Sequence, residues 1–350
     1  IAKNLICWAI IIHYEKSSGK LKKIKLENNP NQEGLESLLR LIYQQSKYFK
    51  IDVDIKNYDE KYKFKANWVS GITKSIETDT QEMINELNRI GINDVKDFQF
   101  YQTVSNNITQ IRFKGYQIGK WNKSKKNFTS ENQNSKSCEM INSSSDSFVD
   151  WANWLREKRS MIGKCFYDLK AEHYMESCIL DLMDKNSFYV GKEQIFKVFK
   201  KAKVNFQFPA LLYGDNSTIK NTPKYIDILG KTNTDRPVFL ELKVYKPNGS
   251  SRGQYLFEAI SQVICYCNYY RQLRKQNNSN LAKLPELFAL EWEYPILVVV
   301  VNDIGSDPTA EKFRDYIKLI EKYFQNNISF EFVELDCDAW QRREVKLKLK

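Results

Sequence analysis

The chain has 350 residues, of which 42% are hydrophobic, 13% aromatic and 28% charged; this is core material for two domains and excludes a disordered chain. Its 54 Lys and Arg outweigh 43 Asp and Glu for a formal charge of +11, which favours polyanionic partners without specifying a chemistry. The apolar run Leu5–Ile12 is far short of the roughly 20 residues of a bilayer helix, and no signal peptide is visible from Ile1 onward, so a soluble protein with no membrane partner is expected.

Taken in chain order, Leu5–Tyr14 and Leu21–Leu26 read as strands, Leu35–Tyr48 as an amphipathic helix, and Lys61–Val69 as a further strand. Thr80–Ile90 predicts a helix closed by Gly91, and Phe98–Val104 with Ile108–Ile118 a hairpin across Ser105-Asn106-Asn107. Residues 121–147, rich in Ser, Asn and Lys, read as a linker or long surface loop between an α+β domain (1–120) and a second domain (148–350). In that second domain Phe148–Arg159, Asp168–Asp184 and Gln194–Phe199 have helical spacing, followed by a loop through Pro209 and Gly214. Strands Tyr225–Leu229 and Val238–Val244, a long helix from Gln254 to Arg274, a β-branched strand Pro295–Asn302, a helix Thr309–Phe324 and a strand Ile328–Leu335 complete an α/β pattern.

Seven Cys without a C-x-x-C pair argue against a disulfide framework or a zinc ribbon. His13 and His173 are the whole histidine complement, which leaves carboxylates to carry any catalysis. A reducing compartment is expected, the cytoplasm or, in a eukaryote, the nucleus.

The segment TPKYIDILGKTNTDRPVFLELKVYK (222–246) concentrates the chemistry. Asp227 and Glu241 are equidistant from Thr234, so an antiparallel hairpin turning there sets them opposite each other on one face. Lys243 shares that face by the two-residue period, while Leu240, Leu242 and Val244 point to the core. Two carboxylates beside a backbone carbonyl form a hard-ligand set for Mg²⁺ or Mn²⁺, and the lysine is placed to orient water or stabilise phosphate charge. Acid-x-Lys also occurs at Asp54, Asp59, Asp94, Asp168 and Glu344, but there without the matching Asp-bearing strand.

With these residues the region from Asp168 to Leu335 resembles the PD-(D/E)XK phosphodiesterase superfamily in motif and in element order. The resemblance implies a restriction-endonuclease-like mixed sheet flanked by helices, preceded here by the α+β N-terminal domain. It implies that Asp227, Glu241 and the Leu242 carbonyl hold Mg²⁺, with Mn²⁺ able to substitute, and that Lys243 is the catalytic lysine. Asp227 follows Tyr225-Ile226 where many members have Pro. Glu176 matches the acid that members carry on the first helix, with Glu172 its rival one turn earlier. Gln262 and Tyr266 match the QxxxY signature of the subgroup related to RecB-type exonucleases, on a polar stripe with Gln254 and Glu258. Lys246 and Arg252, in the basic loop 245–253, are candidates for phosphate contact. The implied function is Mg-dependent hydrolysis of nucleic acid, DNA ahead of RNA, in defence, repair or mobile-element processing. A non-catalytic nucleic-acid-binding scaffold, and a nuclease gated by a ligand or partner through residues 1–120, are the competing readings, and a homodimer is consistent with any of them.

Overall fold

A run such as ILVVVVN is stable as a strand where both of its faces meet hydrocarbon, and in the computed structural model it is the middle of a mixed sheet. The structure describes residues 64–77, 84–85, 88, 98–102, 108–113, 116–122, 127–130, 171–199, 206–210, 224–244, 254–292, 294–302, 318 and 329–335. In chain order the elements are α1 (Ala66–Glu77), β1 (Phe98–Gln102), β2 (Ile108–Phe113), β3 (Tyr116–Asn122), β4 (Asn127–Ser130) and α2 (Ala171–Asp184). The short strands β5 (Tyr189–Val190), β6 (Glu193–Gln194) and β7 (Phe196–Lys197) follow, then β8 (Phe206–Ala210), β9 (Lys224–Lys231) and β10 (Pro237–Lys243). Last come α3 (Gln254–Lys275), α4 (Pro285–Phe288), β11 (Ile296–Asn302) and β12 (Ser329–Leu335).

The main sheet has the order β12-β11-β10-β9-β7, with β8 also pairing β9. β10, β11 and β12 run parallel, and β9 is antiparallel to β10, β7 and β8. Alternation along β10 and β11 sends Val238, Leu240, Leu242, Val298 and Val300 into a core shared with Met175, Ile179 and Leu182 of α2. Phe239, Leu297, Val299 and Val301 enter a second core with Ile260, Val263, Tyr270 and Leu273 of α3. The protein is thus a mixed α/β structure whose central sheet is covered on both faces.

A second sheet, β1-β2-β3-β4, is an antiparallel meander. Its Phe98, Phe100, Tyr101 and Ile111 join the α2 core, whereas Phe64, Trp68 and Ile72, at and within α1, join the α3 core. The N-terminal elements described are therefore packed into the same two cores as the main sheet, and the boundary placed at residue 120 falls inside β3.

Several elements differ from the sequence reading. Residues 66–77 are helical where Lys61–Val69 was expected to be a strand, because Trp68 and Ile72 at helical spacing find a core. The segment expected as strand Ile108–Ile118 is two strands separated by Lys114-Gly115, and residues 127–130 of the expected linker pair with β3. Gln194–Phe199, expected to be helical, contributes to β6 and β7 on either side of buried Ile195, and the loop expected through Pro209 contains β8. Residues 1–63, Phe148–Arg159 and most of Thr309–Phe324 lie outside the described residues. Among those described, no helix is long and apolar enough to cross a membrane.

Candidate active site

The site begins with a turn. Between β9 and β10, Thr232 N–H donates to the Arg236 carbonyl, and Thr232 Oγ1 accepts the N–H groups of Thr234 and Arg236. Asp235 has φ +59°, a left-handed conformation that Asp tolerates, and its carboxylate pairs with Lys231 at 2.6 Å. This closed turn sets the register Pro237↔Lys231 through Leu240↔Ile228. One further step would place Glu241 opposite Asp227, the pairing that symmetry about Thr234 requires.

At that step the strands part. β9 continues alongside β8, from Phe206↔Ile228 to Ala210↔Lys224, while β10 continues alongside β11 to Lys243↔Val301. Ile226 lies in the α3 core and Ile228 in the α2 core although they are two residues apart, so β9 turns over at Asp227. Asp227 spans the fork: its Oδ2 accepts the Leu242 N–H at 2.7 Å. Lys243 Nζ donates to Glu241 Oε1 at 2.6 Å. Glu241 is 3% exposed, and its Oε2 is buried without a hydrogen-bond partner. The sequence reading had one face of β10 as core and the other as the site. Instead both faces are buried, because α3 covers the side that Phe239 shares with Glu241.

Burial sets the electrostatics. It pushes the Glu241 carboxyl up to about 7 against the pull of Lys243 and a hydrogen bond with Asp227, and Glu172 on α2 adds to the rise. Burial, then the charges of Glu241 and Glu176, raise Asp227 well above the usual carboxylate range, despite Lys243 and the Leu242 N–H. Burial disfavours the charge of Lys243, but Glu241 and Asp227 outweigh it and hold the ammonium above its ordinary value.

The remaining candidates are placed differently. Glu176 is buried on the sheet side of α2 as expected, but its Oε2 is taken by Arg112 Nη2 of β2 at 2.6 Å and His173 Nδ1 at 2.8 Å. Tyr266 is not part of a polar stripe. It is 1% exposed inside the α3 core, beside Cys267, because a long helix covered over a wide arc draws in the ring of a tyrosine. Gln262 is half-buried on α3, and Leu242 is fully buried in β10. Lys246 and Arg252 lie outside the described residues. Arg112 and His173 escaped the sequence reading: a single Arg in an alternating strand carries no signal of a partner 64 positions away.

Among the described residues no three His, Cys, Asp or Glu side chains are gathered as a metal site. The donor chemistry at the fork nonetheless fits a hard divalent cation. Two adjacent buried carboxylates leave one oxygen unmatched, and a proton or a cation between them would satisfy it. Comparison with family models, with curated proteins and with solved structures gives no match to this chain.

Proposed function

We propose that the protein is a metal-dependent phosphodiesterase of the PD-(D/E)XK type that hydrolyses nucleic acid, DNA ahead of RNA. The observation that carries this reading is the meeting of Asp227, Glu241 and Lys243 where β9 and β10 part, with Glu241 Oε2 buried and unmatched. The parallel strands after the hairpin and the helices on the two sheet faces agree with the nuclease architecture, and the net charge of +11 suits a polyanion.

Asp227, Glu241 and the Leu242 carbonyl would hold Mg²⁺ or Mn²⁺. When bound, such an ion supplies Lewis-acid polarisation of the phosphate and a more acidic water. Asp227 contributes a second function through its grip on the Leu242 N–H, which fixes the backbone between the two β10 side chains. Lys243 remains an ammonium in the field of its carboxylates, so its role is that of a cation: it orients the water and stabilises charge on the phosphate, rather than removing a proton. Gln262 is placed in this reading to hold the phosphate or Lys243. Tyr266, inside the core, is a packing residue.

The test is incubation of the purified protein with circular and linear, single- and double-stranded DNA and with RNA, in EDTA, Mg²⁺ or Mn²⁺. Metal-dependent cleavage is expected, with Lys243→Ala lowering kcat by about 100-fold or more while Mn²⁺ affinity does not fall. Metal-dependent cleavage unchanged in Lys243→Ala, Asp227→Ala and Glu241→Ala would overturn the assignment.

A further inference from the structure

Arg112 is the most thoroughly engaged side chain in the described structure, and it lies outside the fork. It is fully buried at the junction of the meander and α2. Its Nη1 donates to the His173 carbonyl at 2.6 Å and to Ser177 Oγ at 2.7 Å; its Nη2 donates to Gln110 Oε1 at 3.0 Å and Glu176 Oε2 at 2.6 Å. The guanidinium lies 4.6 Å from the centre of the Tyr101 ring. Three of these contacts are on α2, within the turn His173–Ser177, so one side chain fixes both the height and the rotation of that helix. Glu172 lies one turn before Glu176, on the same face of α2 by the four-residue spacing.

We infer that Arg112 is a positioning residue of the candidate site: by fastening Glu176 to the meander it sets α2 on the sheet so that Glu172 is directed toward Glu241 and Lys243. This inference rests on the metal-site reading above. It gives the N-terminal meander a definite part in that site. Glu176, which the sequence offered as the helix acid, becomes the anchor, and Glu172 becomes the acid that acts on the fork. The electrostatic influence of Glu172 on both Glu241 and Lys243 agrees with this orientation. An arginine suits the task because its planar fork reaches several acceptors at once, which an ammonium does not.

The experiment measures Mn²⁺ affinity and thermal midpoint in the full chain, with Glu241→Gln as the control for binding at the fork. In the wild type, Glu172→Gln is expected to weaken Mn²⁺ about tenfold, the usual cost of losing an outer partner of a metal site. Arg112→Met alone strands the Glu176 carboxylate and lowers the midpoint. Arg112→Met with Glu176→Met removes both charges and is expected to recover the midpoint, yet to bind Mn²⁺ about tenfold more weakly than wild type. In that double variant, adding Glu172→Gln has no further effect. Wild-type Mn²⁺ affinity in the double variant would overturn the inference and leave Arg112–Glu176 a structural cross-link. Should the double variant fail to fold, Arg112→Lys, which keeps the charge but not the fork, is expected to weaken Mn²⁺; an unchanged affinity would overturn the inference. A wild type that binds no Mn²⁺ would overturn the metal-site reading, and this inference with it.

Discussion

Glu241 shows at the level of one side chain why the site suits a cation. Its Oε2 is out of water and unmatched, and Asp227 beside it is also raised, so without metal the pair retains a proton at pH values where exposed carboxylates have lost theirs. The linkage has a definite sign. A carboxyl whose folded value stands at about 7, above its ordinary 4.5, stabilises the metal-free fold fully below the ordinary value, and that stability is lost as pH rises through the folded one. For Glu241 the difference is on the order of 3 kcal/mol. The thermal midpoint in EDTA is therefore expected to fall between about pH 4.5 and 7, and Glu241→Gln to flatten that slope. Saturating Mg²⁺ reverses the trend, because the ion binds the form that has lost its proton. A metal-free midpoint that rises through this window in the wild type and is unaffected by Glu241→Gln would contradict the assignment.

At the level of elements, the hairpin is where the sequence was most informative. Its register follows from the turn, since Thr232 closes the loop with its own hydroxyl, and symmetry about Thr234 then carries Asp227 to Glu241 with no long-range information. The parting of the strands just beyond was not legible, because it depends on β8 pairing with β9, and FQFPA, with its Pro209, reads locally as a loop. Helix α3 was legible in extent but not in its faces: Tyr266 follows Gln262 at a spacing that suits a wet stripe, and a covered helix overrides it. The Arg112–Glu176 pair was illegible because two charges 64 residues apart leave no periodic trace. Close packing at the far end of β9 gives a further expectation. A Cβ on Gly230 would lie 2.8 Å from Ile195 Cγ2 and Met183 Cε, and 3.1 Å from the Phe196 carbonyl oxygen. Gly230→Ala should thus cost about 1–3 kcal/mol of stability in urea denaturation, since β7 must move away from β9; a variant as stable as wild type would show that this junction is loose.

Across the whole molecule, one sheet separates two cores, and each core takes in elements from before residue 122 as well as from after residue 171. Arg112 has a consequence in time as well as in space. Its buried partners on the meander precede it in the chain or follow closely, but Glu176 lies 64 residues further on. At a synthesis rate of roughly 5–20 residues per second, the wait for Glu176 is roughly 3–13 s. During that interval the meander cannot close around Arg112 without stranding a charge, so its docking awaits α2. Nascent chains arrested before residue 171 should accordingly leave residues 98–122 open to protease, and chains arrested well past residue 184 should protect them.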